Sequence, residues 1–231
     1  MLEPLRDWNF NMTRRSREAL VFNAWLREFN RILYIDEMGP LFEDVWDTRS
    51  LFVLNVLRDV DGQSRWCDNV NSPARETCDN AVQQAFQAAV RDLRARFGDD
   101  LDAWRWGDAH LAWHEHRPFG KVPLLAPVFD IKLPSDGDGQ TINVGRYRLA
   151  DPLNPFANRH AASLRAIYDL ADLDRSRYIH STGQSGHRLS AHYDDLAERW
   201  ISGDYLLMSM RRADIELGGA ERMLLQPAPQ Q

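Results

Sequence analysis

Ser181-Thr182-Gly183-Gln184-Ser185-Gly186-His187 leads into Ser190-Ala191-His192-Tyr193-Asp194-Asp195 and then into Trp200-Ile201-Ser202-Gly203-Asp204-Tyr205. Read in order, this is a glycine turn, a capped helix and an aromatic-rich end. Ser190 serves as the cap, Asp194 and Asp195 stand where carboxylates oppose the helix dipole, and Gly203 falls near the end. A short helix is therefore predicted over Ser190–Tyr205. The piece Gly183–His187 invites a serine-hydrolase reading, but a nucleophile elbow needs Gly two places after Ser, and that place holds His187. A tight turn in which Ser185 bonds its own backbone is expected instead.

Outward from this stretch the second half of the chain is strand-rich. Leu111–Arg117 alternates, and Thr141–Leu149, Ser163–Leu170, Arg177–Ser181, Leu206–Met210 and Met223–Gln226 are short β-like runs. Pro- and Gly-rich turns such as Pro134-Ser135-Asp136-Gly137-Asp138-Gly139 separate them. The first half is helical. Thr13 or Ser16 caps a stripe of Leu20, Phe22, Trp25, Leu26, Phe29, Ile32 and Leu33, which Gly39-Pro40 ends. Leu41–Leu57 reads as one helix or two short ones. Ser72-Pro73 then offers a cap and a first-turn Pro for a helix whose buried stripe is Val82, Phe86, Ala89, Val90, Leu93 and Phe97, with Gly98 at its end. Helices first and strands after make an α+β arrangement. No repeat or linker splits residues 1–231. The strand-rich half has long connections and few complete hairpins, so some of its strands are expected to pair with sequence outside this chain.

With 44% hydrophobic and 27% charged residues the chain suits one soluble domain or a large piece of one, and a net charge of −6 excludes the cationic surplus of a non-specific nucleic-acid binder. No apolar run approaches the ~20 residues that span a bilayer. The start, Met1-Leu2-Glu3-Pro4-Leu5-Arg6-Asp7-Trp8, has neither the basic flank nor the apolar stretch of a signal peptide, which alone would place the protein in the cytoplasm. The cysteines argue otherwise. Cys67 and Cys78, the only two, flank a Pro-containing stretch and can close a short loop of the kind exported proteins use, or remain two buried thiols. A zinc site is not expected there, because neither has a second Cys or a His within a few positions.

Three histidines form the other constellation. His110, His114 and His116 share parity, so on one strand face they could hold a zinc ion with water in the fourth position. Trp104, Trp106 and Trp113 crowd the same stretch, Arg105 and Arg117 add positive charge, and Glu115 faces the other way, so packing and surface histidines fit better. Asp136-Gly137-Asp138-Gly139 hints at calcium, but the later ligands of an EF-hand loop are absent and an exposed turn is expected.

Taken together, Trp104-Arg105-Trp106-Gly107-Asp108-Ala109-His110, Asp138-Gly139-Gln140-Thr141-Ile142-Asn143-Val144, Ala162-Ser163-Leu164-Arg165 and the Ser181–Tyr205 unit resemble, in order and spacing, the end of the β chain in the penicillin amidase family. Cephalosporin acylases and acyl-homoserine-lactone acylases belong to that family. Trp8, Ser16, Trp25 and Trp66-Cys67 to Glu76-Thr77-Cys78 extend the likeness over nearly the whole chain, and the cysteine pair is most similar to the homoserine-lactone and aliphatic-acyl branch.

The resemblance implies the C-terminal portion of an N-terminal-nucleophile hydrolase, with helix, sheet, sheet and helix stacked in layers. In that family a precursor cleaves itself to expose a Ser whose hydroxyl attacks the amide carbon, with its own α-amine as base. That Ser, the oxyanion Asn and the calcium ligands would all lie before Met1. No catalytic, cofactor or metal residue is therefore assigned within 1–231, and Asn143 and His187, though in shared motifs, are read as structural. The implied partners are an upstream half of the acylase and a small amide substrate, with neither nucleic acid nor membrane, in the periplasm or outside the cell. The implied activity is hydrolysis of the linear amide of an acylated amine. The alternatives are a non-catalytic scaffold half of a split acylase and an unrelated zinc hydrolase built on the three histidines. A Cys67–Cys78 disulfide is expected in an oxidising compartment, with Thr141–Leu149 and Ser163–Leu170 at exposed sheet edges.

Overall fold

The computed structural model describes residues 3–47, 49–218, 223 and 225–227. The chain divides into two compact units, Met1–Ala162 and Ser163–Gln231.

The first unit carries most of the helix. After the single turn α1 (Glu3–Arg6), Ser16 caps α2 (Arg17–Met38), and its Oγ accepts the Ala19 N–H at 3.0 Å, satisfying one of the donors a helix start leaves open. Leu20, Phe29 and Leu33 of the predicted stripe are buried, with Ala19, Val21, Asn23 and Ala24 beside them, while Phe22, Trp25, Leu26 and Ile32 are half-buried, and the helix runs on from Leu33 to Met38. Gly39, at φ 52°, stops it, with its N–H on the Ile35 carbonyl. Leu41–Leu57 resolves into two short helices, α3 (Phe42–Val45) and α4 (Ser50–Leu57).

Helix α5 runs Cys78–Phe97, its cap five residues later than the expected Ser72. The Ser72 hydroxyl is taken up by the Ala74 N–H in a local turn. Thr77 and Asn80 instead form a reciprocal capping box: Thr77 Oγ1 accepts the Asn80 N–H, and Asn80 Oδ1 accepts the Thr77 N–H. The loop before it is closed by two carboxylates, since Asp68 accepts the Glu76 N–H and Glu76 accepts the Asn69 N–H. The buried face is also turned slightly from the expected one. Ala81, Ala85, Ala89 and Leu93, spaced four apart, are the fully buried row, while Val82, Phe86, Val90 and Phe97 flank it half-buried. Small side chains in a row allow close approach of the two long helices, and α5 makes its main contact with α2.

Two apolar clusters result. One joins Leu20 and Ala24 to Ala89, Leu93, Trp104, Trp106, Leu149 and Phe156. The other joins Phe29 and Leu33 to Val53, Val56, Cys67, Ala81 and Ala85. After α6 (Trp106–Ala109) come β1 (Leu111–His114), α7 (Ala126–Phe129) and β2 (Ile131–Pro134), with β1 and β2 antiparallel and His114 opposite Ile131. Of the expected strand Thr141–Leu149 only β3 (Gly145–Arg146) forms, paired with β4 (His160–Ala161). The reason is local. Asp138 Oδ1 accepts the N–H groups of Gln140 and Thr141, which holds the first part of that run in a turn.

The second unit holds a three-stranded antiparallel sheet in the order β5 (Leu164–Ile167), β6 (Arg177–His180), β7 (Leu206–Leu207). β5 is an edge strand, and Leu164, Ile167, Tyr168 and Leu170 around it are exposed. The helix expected over Ser190–Tyr205 is confined to α8 (Ala197–Ser202). Ser190 Oγ accepts the His192 N–H and Leu196 donates to the Thr182 carbonyl, so the chain up to 196 serves turns. Gly203 does take the left-handed conformation expected of it, at φ 78°. A last helix, α9, spans Arg212–Leu217. The strand expected over Met223–Gln226 lies partly outside the described residues. No described helix is long and apolar enough to cross a membrane.

Candidate functional site

His110, which caps α6, is fully buried. Its ring stacks on Trp106 at 4.5 Å and 13°, and its Nδ1 lies 2.7 Å from the Phe156 carbonyl. A carbonyl only accepts, so Nδ1 carries the proton and Nε2 presents a lone pair. Burial pushes the pKa down from 6.5 to about 4, against the opposing pull of that hydrogen bond, so the ring is neutral at pH 7. Gly145 lies so close that a Cβ there would meet His110 Nε2 at 2.5 Å and Asn158 Nδ2 at 2.7 Å. Around the ring, Asn158 donates to Ser135 Oγ, which donates to the His110 carbonyl.

The three histidines do not share a strand face. The strand covers only Leu111–His114, so His110 precedes it in the core, while His116 follows it and stacks on Phe119 at 5.2 Å. Among the described residues no group of three or more His, Cys, Asp or Glu is arranged to hold a metal ion.

The Asp136–Gly139 turn is not exposed as expected. Gly137 and Asp138 are buried, and several polar groups of the turn find partners in the fold. Asp136 accepts the Arg14 N–H, Gly137 donates to the Met12 carbonyl at 2.7 Å, and the Gly137 carbonyl accepts Trp106 Nε1 at 2.8 Å. The turn thereby ties the residues before α2 to α6.

Beside it opens a cleft of about 750 Å³. Phe22, Trp25 and Leu26 of α2 face Val53, Leu54 and Leu57 of α4, and Asp47, Asp138, Arg146 and Tyr147 stand at its polar end. Tyr147 donates its one proton to Asn23 Oδ1, and burial raises its phenol pKa well above 10, so the hydroxyl is neutral and held by α2. Six apolar walls and a few convergent polar groups give a place for an amphiphilic or peptide-like occupant. The sequence reading did not find this cleft. The stripe Phe22–Trp25–Leu26 was visible, but its opposite wall comes from a helix some thirty residues on.

In the second unit Ser185 forms the expected turn, its Oγ accepting the His187 N–H at 3.1 Å. Its own N–H donates to the His192 carbonyl at 2.9 Å. Gly183 is required here, since a Cβ would run into that same carbonyl and into Asp195 Oδ1. His192 Nδ1 and Asp195 Oδ2 make an exposed pair at 2.9 Å that the sequence reading missed, although the His-x-x-Asp spacing signals it.

These motifs stand in the order of a known family. The profile of the penicillin amidase family matches residues 1–217. The chain belongs to the penicillin amidase family. It is 26% identical over 234 residues to an acyl-homoserine lactone acylase of Pseudomonas syringae pv. syringae, a match over 96% of this chain and 28% of that protein. It is 30% identical over 209 residues to the penicillin acylase 2 proenzyme of Pseudomonas sp. strain SE83, over 86% of this chain and 25% of that one. A solved thermostable penicillin G acylase from Alcaligenes faecalis superposes with a TM-score of 0.46 at 15% identity, covering 94% of this chain and 39% of that one. The chain thus spans about 28% of the length of the curated relatives it matches.

In this penicillin amidase chain the family-like stretches become the parts just described: Trp104–His110 the stacked core, Asp138–Val144 the turn that begins at buried Asp138 and runs out to exposed Ile142 and Asn143, and Gly183–Tyr205 the Ser185 turn with α8. Asn143 is exposed and its carbonyl accepts the Thr141 hydroxyl. Cys67 and Cys78 are joined, with Sγ atoms 2.09 Å apart and Cα atoms 5.0 Å apart. The bond ties the first turn of α5 to the segment after α4.

Proposed function

We propose that this chain is the C-terminal part of an acylase that hydrolyses the linear amide of an acylated amine, such as a penicillin, a cephalosporin or an acyl-homoserine lactone. An upstream half supplies the Ser nucleophile, its α-amine base, the oxyanion donors and the calcium site. The observation that carries this reading is the family match over residues 1–217, combined with relatives of which the chain spans little more than a quarter. In the reaction the Ser hydroxyl adds to the amide carbonyl and the amine leaves with a proton. Water then releases the acyl group as a carboxylic acid. The residues described here would serve as framework: the buried Trp106–His110 stack, the Asp136–Gly139 turn and the α2–α5 pair hold the strands and the cleft. The Cys67–Cys78 bond supports a periplasmic or secreted location.

A scaffold-only role is the second reading. It is favoured by Ser185, the one serine set in a hydrolase-like motif, whose hydroxyl is engaged in its own turn. Co-expression separates the two. The chain is produced with an upstream reading frame that encodes an α chain, a linker and a Ser-started β segment, and the complex is given an acyl-homoserine lactone and a penicillin. Turnover that disappears when the leading Ser is changed to Ala is expected. A stable complex that hydrolyses neither amide would leave only the scaffold.

A further inference from the structure

Helix α4, Ser50-Leu51-Phe52-Val53-Leu54-Asn55-Val56-Leu57, has the composition of a helix buried on every side. Only Val53 and Val56 are buried in the structure. Leu51, Leu54 and Leu57, three residues apart, are 71%, 39% and 42% exposed and form a ridge along one face. The cleft against α2 lies on one flank of this ridge. On the other lies a second groove of about 690 Å³, where Tyr34, Arg49, Phe52, Asn55 and Gln63 line the wall. Ser50 and Gln140 border both, so the two grooves meet at the N-terminal end of the helix.

A small ligand filling the cleft would cover Leu54 and Leu57 but leave Leu51, which lines the second groove, in water. Cleft and groove together exceed the roughly 300–1,000 Å³ of a small-molecule pocket. What fits a ridge between two grooves is a polypeptide that straddles it, with apolar side chains on both sides. The amides of Asn55, Gln63 and Gln140 can pair with backbone groups of such a segment, and the side chains of Arg49 and Arg146 can reach its carbonyls.

We propose that the α4 ridge and its two flanking grooves are the seat of an apolar segment of the upstream acylase half. This rests on the function proposed above. The curated relatives carry nearly three quarters of their length outside the part this chain matches, and the partner is taken from that portion. The seat lies within the first unit and needs nothing from the second.

Photocrosslinking tests it. The photoreactive residue p-benzoylphenylalanine is placed at position 51 or 54 of the full chain, and at position 91 on the exposed face of α5 as control. The chain is produced together with the upstream polypeptide, and adducts are identified by mass spectrometry. Adducts from 51 and 54 to peptides of the upstream polypeptide, about tenfold above position 91, are expected. So is at least about tenfold weaker association for Leu54→Asp, at an unchanged melting temperature of the isolated chain. Adducts from 51 and 54 to a second copy of this chain would overturn the proposal, as would an upstream complex that forms and hydrolyses amides with Leu54→Asp unimpaired. In that last case the function stands and the seat falls. If no upstream polypeptide associates with the unaltered chain, both fall.

Discussion

Gly137 holds φ at 86° while its N–H reaches the Met12 carbonyl, and a Cβ at that position would meet the Asn143 carbonyl. Gly137→Ala is therefore expected to cost about 1–3 kcal/mol of unfolding free energy, from backbone strain and the lost tie to residue 12. Urea unfolding measures it, and a loss below a few tenths would mean the turn is not held as described. His110 gives a pH dependence. Its folded pKa, about 4, lies below the ordinary 6.5, so between those values the unfolded chain binds the extra proton. Its contribution is full above pH 6.5 and is lost as the pH falls toward 4, on the order of 3 kcal/mol. Asp136 and Asp138 pull the other way but do not reverse the direction. Unfolding free energies measured between pH 7 and 4 should fall less steeply for His110→Gln than for the unaltered chain. Sequence alone pointed to both residues; it read His110 among packing or surface histidines, which its buried stack on Trp106 fits, and read the turn holding Gly137 as exposed. A turn of Asp and Gly looks solvent-loving until Trp106, Met12 and Arg14, distant in the chain, take up its polar groups.

The two long helices differ in how far their sequences reveal them. α2 was legible in its extent, because Ser16, one of two candidate caps, and its terminating Gly39 are local signals, though only part of the expected stripe is its buried face. α5 was legible in its body and its end, but Ser72-Pro73 imitated a start that the Thr77–Asn80 capping box provides. Thr77→Ala should thus destabilise the chain by about 1 kcal/mol, while Ser72→Ala should change little. Thermal melts of the two variants compare them directly, and equal losses would place the cap wrongly. The Cys67–Cys78 bond adds to the same end of α5. Closing so short a loop restricts the unfolded chain by about 2–3 kcal/mol. Intact mass before and after alkylation should reveal no free thiol after periplasmic expression. The strands were the least legible elements, since β3 is cut short by side-chain capture of its neighbours' N–H groups, and β5 owes its pairing to β6 alone. As an exposed edge, β5 should exchange its amide hydrogens faster than α5. Equal protection of the two would mean that the edge is covered.

At the scale of the molecule, two compact units carry small antiparallel sheets, exposed apolar side chains along α4 and β5, and a cleft with no counterpart in any single motif. The family could be recognised from the order of short motifs, whereas the cleft could not, because Phe22, Leu54 and Tyr147 meet only after folding. Such surfaces favour association, and the chain made alone is expected to be poorly soluble or oligomeric and to be rescued by an upstream half. Residues 1–231 are proposed to frame an amide hydrolase whose nucleophile stands elsewhere. The most direct measurement is hydrolysis of an acyl-homoserine lactone and a penicillin by the repurified chain alone. No turnover is predicted, with or without Ser185→Ala. Turnover that survives repurification and vanishes in Ser185→Ala would place the nucleophile in the Gly183–His187 turn and contradict the account.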